Sequence, residues 1–224
     1  MEFFNNSVFF GVMLSLLAYG IGALLKQRFN PLLIAVIIVI AVLAVSGIDY
    51  KVYNEGAKYI SYLLTPATIC LAIPLYEQFD LLKSNWKAIA VGIFSGVLAS
   101  LGSILAMAVL FGFTHQEYVS FLPKSITTAI GMGISEELGG YVSITVAIIV
   151  LTGVLGNMCA ESVCKLFKIE EPIAKGIAIG TASHAIGTSK AMELGDIEGA
   201  MSSLSIVVSG LITVIGASVF AQFM

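Results

Sequence analysis

Long apolar runs separated by short polar connections dominate the chain, and five of the runs have the length that a membrane helix needs. A spanning helix requires about 20 predominantly apolar residues. Residues 7–25, 31–45, 88–113, 141–165 and 199–223 meet or approach that length. Three further stretches, 63–76, 122–137 and 177–190, are apolar enough to enter a bilayer but are interrupted by prolines, glycines and hydroxyl side chains. The pattern predicts an all-α, polytopic integral membrane protein of about six spanning helices plus broken or re-entrant helical elements. No room remains for a separate soluble part, so residues 1–224 are expected to form a single transmembrane domain.

Several runs carry one face of small residues. Gly11, Ser15, Ala18 and Gly22 share a face, as do Gly92, Gly96, Ala99, Ser103 and Ala106. Such faces let helices approach closely where lipid removes the usual hydrophobic drive. A third face, Ser202, Ser205, Ser209, Thr213 and Gly216, bears hydroxyls and must meet protein, most economically the 180–190 stretch. By contrast 32–45 is apolar all round and suits a lipid-facing or oligomer-facing helix. Tyr50, Tyr53, Tyr59, Tyr62 and Trp86 fit interfacial belts.

The interrupted stretches are where chemistry is expected. In hydrocarbon an unpaired backbone N–H or C=O is costly, so a broken helix persists only where protein covers it or where it lines a wet cavity. In 63–76, Thr65-Pro66 has the form of an N-cap followed by a first-turn proline, and Pro74 follows eight residues later, with Thr68 between them. This predicts a helix that restarts within the bilayer; the alternative is a proline kink. In 122–137, Lys124, Ser125, Thr127, Thr128, Gly131 and Gly133 precede Glu136 and Glu137. A buried helical hairpin or broken helix is expected there, the alternative being an amphipathic surface loop. The third stretch, 180–190, concentrates Gly180, Thr181, Ser183, His184, Gly187, Thr188 and Lys190.

Charge fixes an expected orientation. Only 11% of residues are charged and the net charge is -3, with lysines scattered through short connections, which argues against nucleic acid as a partner. Lys26, Arg28, Lys83, Lys87, Lys165, Lys168 and Lys175 can all face the cytoplasm if 122–137 enters and leaves from outside and 177–190 from inside. Both termini then lie outside, and the opposed elements suggest inverted repeats, as in secondary transporters. Cys70, Cys159 and Cys164 lack metal or redox spacing, and no cofactor or metal is expected. Ser183 and His184 are adjacent, without an orienting acid or nucleophile motif, so no enzyme is expected.

Three blocks, in this order, carry a resemblance that covers nearly the whole chain. They are Pro-Ala-Thr-Ile-Cys with Ala-Ile-Pro-Leu-Tyr at 66–76, Leu-Pro-Lys-Ser-Ile-Thr-Thr at 122–128, and Gly-Thr-Ala-Ser-His-Ala-Ile-Gly-Thr at 180–188. The chain resembles the LrgB/CidB family of bacterial membrane proteins, which includes YohK-type proteins and the plastid glycolate/glycerate translocator. Some members have proline after the paired threonines, where this chain has Ala129.

The resemblance implies a multi-pass protein of the bacterial cytoplasmic membrane and two possible activities. One is holin/antiholin-like control of murein hydrolases and lysis, usually beside a small LrgA/CidA-type membrane partner. The other is transport of small monocarboxylates of the pyruvate, glycolate or glycerate class. Broken helices turn uncapped N–H groups and a positive dipole end towards a cavity, which favours the carrier reading. On that reading Thr65, Thr68, Ser125, Thr127, Thr128, Thr181, Ser183 and Thr188 supply hydroxyls and helix starts. His184 donates to or titrates with the substrate, and Lys124 or Lys190 attracts it. Pro66, Pro74, Gly131, Gly133, Gly180 and Gly187 break the helices. Lipid is the expected surroundings and a homo-oligomer a possible assembly. Glu161 either titrates in a proton pathway or, so near Lys165 and Lys168, is an interfacial carboxylate in an ion pair.

Overall fold

A computed structural model describes residues 9–25, 31–70 and 72–224, the side chains of Leu64, Thr65 and Thr68 excepted. The described residues form helices α1 (Phe10–Leu24), α2 (Pro31–Ser46), α3 (Tyr50–Ser61), α4 (Leu64–Cys70), α5 (Ala72–Glu77), α6 (Phe79–Phe111), α7 (His115–Phe121), α8 (Thr128–Glu137), α9 (Val142–Leu166), α10 (Pro172–Leu194) and α11 (Asp196–Phe220), with a closing 3₁₀ turn at Ala221–Phe223. The chain is an all-helical, polytopic membrane protein. The helices long and apolar enough to cross a membrane are α6, α9 and α11 with its closing turn; α1 and α2 are shorter apolar helices. Lys26 and Arg28 lie outside the described residues.

The chain divides into two compact units, residues 1–70 and 71–224. In the first, the small face of α1 is used for close packing: Gly11 sits against the backbone of α3 at Tyr53 and Ala57, and Gly22 against Pro31 of α2. Ser15 Oγ and Tyr53 Oη share a hydrogen bond of 2.8 Å. The first proline of 63–76 also lies here. Leu63 is the residue before the helix, its carbonyl accepting from Ala67 N–H at 3.0 Å. Thr65 and Pro66 are therefore the second and third residues of α4, not its cap and first residue. Pro74 is likewise third in α5. Each proline falls in a first turn, where N–H groups have no intrahelical partner, so each starts a helix at little cost.

The second unit is built from the short helix α5, three long helices and two hairpins. Helix α6 begins nine residues before the apolar run at 88 and takes in Lys83, Trp86 and Lys87, which the hydropathy pattern assigns to a connection. Asp80 in its first turn complements the helix dipole and lets the helix extend into polar sequence.

Hairpin 1 consists of α7, a loop at 122–127 and α8. Helix α7 opens with a capping box in which Thr114 Oγ1 accepts from Glu117 N–H and the Glu117 carboxylate accepts from Thr114 N–H. The loop folds back on α8: a Cβ on Gly131 would lie 3.5 Å from Pro123 Cβ. Buried hydroxyls bind the stem to α9. Ser120 Oγ accepts from Tyr141 N–H at 2.7 Å, and Thr145 Oγ1 lies 2.9 Å from Ser120 O and 2.7 Å from Ser135 Oγ.

Hairpin 2 is α10 itself. Its backbone leaves helical geometry at Ser183 (φ -134°, ψ 15°) and His184 (φ 42°, ψ -143°), and the chain reverses there. A straight helix would hold Ile179 and Gly187 about 12 Å apart, yet a Cβ on Gly187 would stand 3.3 Å from Ile179 O. Lys175 and Leu194, near opposite ends of α10, line one small cavity together.

The hairpins enter the unit from opposite ends. Hairpin 1 starts beside the end of α6, with Phe113 and Phe121 rings 5.4 Å apart, and Tyr118 Oη donates to Phe220 O near the end of α11. Hairpin 2 starts at the other end, where α9 finishes. The hydroxyl face of α11 is buried as the pattern requires: Ser202, Ser205, Ser209 and Thr213 are all at most 5% exposed. Ser202 Oγ meets Thr188 Oγ1 at 2.7 Å, and Gly180 packs on the Ser202 backbone.

Candidate functional site between the hairpin tips

A cavity of about 1030 Å³ runs along α6 from Asn85 to Ser103, a distance of about 27 Å at 1.5 Å per residue. Its floor is the small face of α6, and its walls come from the hairpin 1 tip and the first leg of hairpin 2. The end near Asn85 is bounded by Glu171 and Ile173, at the start of hairpin 2. Lys124 and Ser125 bring the hairpin 1 tip to the wall.

The two tips reach α6 within one helical turn of each other. Ser125 Oγ lies 3.2 Å from Ser100 Oγ, and Thr181 packs so closely on Gly96 that a Cβ there would stand 2.8 Å from Thr181 Cγ2. Lys124 Nζ donates to Ser125 Oγ at 2.9 Å. This half-buried ammonium makes no ion pair among the described residues. Thr181 is 5% exposed, and among the described residues its Oγ1 is the buried side-chain polar atom left without a partner. Lys124, whose ammonium makes no ion pair among the described residues, and Thr181, whose hydroxyl is buried without a partner, thus line one cavity. Together they can receive a small anion: the ammonium supplies charge compensation, and Ser100, Ser125 and Thr181 supply donors.

Not all of the sequence candidates converge. Lys124, Ser125 and Thr181 line the cavity; Ser183, His184 and Thr188 turn the other way. His184 Nε2 donates to Ile149 O of α9 at 3.0 Å, and the ring needs the space at Gly153, where a Cβ would lie 2.6 Å from Cε1. The Ser183 side chain fills the space over Gly156. Thr188 Oγ1 is engaged with His184 O and Ser202 Oγ. Thr127 is the N-cap of α8 without a side-chain cap bond, and Thr128 is its first residue. Gly131 packs against Pro123 and Ile149, and Gly133 faces open space. Lys190 lies at the far end of hairpin 2, within 3.7 Å of Glu161 and 3.3 Å of Glu193. The Thr65 and Thr68 side chains lie outside the described residues, and Pro66 belongs to the first unit.

Three residues of the site escape the pattern. Ser95, Ser100 and Ser103 line the cavity from a helix whose small face reads as packing alone. The available signal was the hydroxyl at three of its positions. Asn157 donates to Ile186 O at 2.8 Å and holds the second leg of hairpin 2. Glu161 pairs with Lys165 at 2.8 Å, the structural of its two readings.

Long apolar helices enclosing two opposed, broken hairpins define a polytopic membrane protein with a polar site between helices. The chain belongs to the LrgB-like family, whose model matches residues 15–223. Among its relatives are the antiholin-like proteins LrgB of Bacillus mycoides (strain KBAB4), Bacillus cereus (strain B4264) and Bacillus anthracis (strain CDC 684 / NRRL 3495), each 39% identical over 221 residues that make up 96% of both chains. No solved structure matches.

Proposed function

We propose that the chain is a secondary carrier of small monocarboxylates, of the pyruvate, glycolate or glycerate class, and a multi-pass protein of the bacterial cytoplasmic membrane. The observation that carries this reading is that one cavity is lined by Lys124, whose ammonium is unpaired by any described carboxylate, and by Thr181, whose buried hydroxyl has no partner. Ionisable groups at membrane depth are costly and are kept where they line a pathway. One lysine compensates one carboxylate. The opposed hairpins further support a carrier, since α6 with hairpin 1 and α9 with hairpin 2 resemble inverted repeats meeting at a central site. With Lys83, Lys87, Lys165, Lys168 and Lys175 on the cytoplasmic side, the Asn85 end of the cavity faces the cytoplasm. Neither the cavity nor the Ser183-His184 pair offers an arrangement for covalent catalysis, so the reading is of a non-enzyme.

A second reading is an antiholin-like modulator of murein hydrolase activity and lysis, working with a small LrgA/CidA-type partner or as a homo-oligomer. The relatives, antiholin-like proteins by name, favour it more directly than they favour transport. The two readings separate on reconstitution of the chain, alone and with such a partner. A carrier gives saturable counterflow of labelled pyruvate, glycolate or glycerate; a lesion-forming protein gives nonselective dye leakage without counterflow.

A further inference from the structure

A second cavity, of about 270 Å³, lies where α9 ends and hairpin 2 begins, away from the site between the tips. It is lined by Lys165, Lys168 and Lys175 together with Glu161, Glu170, Cys164, Ile169 and Leu194. The charges are unequally committed. Glu161 is taken up by Lys165 at 2.8 Å and Lys190 at 3.7 Å, whereas Lys168 and Lys175 make no ion pair among the described residues. Glu170 is the remaining lining carboxylate, against two such lysines.

The backbone puts Lys168 in place at a cost. Helix α9 closes with Ile169 N–H donating to Cys164 O at 2.8 Å and Lys168 N–H to Lys165 O at 3.2 Å, the bond pattern of a Schellman cap. The residue between must be left-handed, a position usually given to glycine, and Lys168 occupies it at φ 55°. A glycine there would end the helix with less strain but would supply no cation. Next to it stand Leu166 and Phe167, 74% and 70% exposed at the end of a membrane-length apolar helix. Two exposed apolar side chains thus stand directly before a cation of the cavity lining, at the same helix end.

We propose that this cavity binds the phosphate of an anionic phospholipid headgroup, with Lys168 and Lys175 on the phosphate oxygens and the acyl chains running along Leu166 and Phe167. Basic pockets between membrane helices on the cytoplasmic side suit such headgroups. The adjacent apolar pair selects a lipid over a free phosphate compound, which would have no use for it. The two cavities share no lining residue.

The test is thermal unfolding of the purified full chain in detergent with added phosphatidylglycerol, cardiolipin, phosphatidylcholine, or glycerol 3-phosphate. The expected result is a rise of several degrees with the two anionic lipids and no comparable rise with the other additions. Lys168→Gly is the informative variant, because it relieves the left-handed strain. It is expected to be at least as stable as the parent in phosphatidylcholine while losing most of the anionic-lipid shift. Glu170→Gln, which removes the opposing carboxylate, is expected to enlarge that shift. An equal rise with phosphatidylcholine, an equal rise with glycerol 3-phosphate, or a full shift retained in Lys168→Gly with Lys175→Gln would each overturn the proposal.

Discussion

At the scale of single residues, Thr181 separates stability from function. Its Oγ1 is buried without a partner, and such a group costs about 1–3 kcal/mol against a satisfied one. Thr181→Val keeps the shape and removes the orphan oxygen. The variant should be as stable as the parent or more stable, by up to about 1 kcal/mol, while its affinity for a small carboxylate falls; thermal unfolding and anion titration on the same preparation measure both. A residue with only a packing role would show no loss of affinity. Lys124, Ser125 and Thr181 were legible as candidates because polar side chains in apolar sequence require a reason. Ser100 was not, since a serine in a long helix can bond to its own backbone. Only the folded chain puts it 3.2 Å from Ser125 Oγ. His184 was equally visible in sequence, but its direction depends on the backbone reversal at Ser183 and on Gly153 leaving room for the ring.

At the scale of elements, hairpin 2 depends on glycines of its neighbour. His184 sits at positive φ, a conformation that costs on the order of 1–3 kcal/mol in a non-glycine residue and persists only where surrounding contacts impose it. The bond to Ile149 O and the fit of Ser183 over Gly156 are those contacts. Gly156→Ala puts a methyl group onto the Ser183 side chain, so the tip must shift. Overpacking of this kind destabilises by about 1–3 kcal/mol. Ser183→Gly in the same chain should restore much of the loss, which a double-mutant cycle on thermal unfolding reads directly. The existence of both interrupted elements could be read from proline, glycine and hydroxyl placement. The proline register could not: Pro66 and Pro74 each stand third in their helices, because a first turn accepts proline at more than one position.

At the scale of the molecule, the lysines and the hairpins agree on a direction. The cavity reaches the end of the second unit that carries Lys83, Lys87, Lys165, Lys168 and Lys175, while Glu136 and Glu137 close hairpin 1 at the other end. In a chain whose three native cysteines are replaced by serine, Ala178→Cys in the cavity should react with an impermeant maleimide applied from the cytoplasmic side only. Glu136→Cys should react from the outside only. Labelling of Ala178→Cys from outside would reverse the orientation. The pattern of apolar runs predicts α9 and α11 closely, because bilayer thickness sets the length of an apolar run, but not the start of α6 in polar sequence. It cannot show that the chain forms two compact units, since that division rests on contacts between residues distant in sequence. The most direct test of an anion site between the hairpin tips is counterflow of labelled pyruvate, glycolate or glycerate into vesicles holding the reconstituted chain. Saturable counterflow that is lost in Thr181→Val and Lys124→Met is the predicted result; dye leakage without counterflow, or counterflow unchanged in both variants, would contradict it.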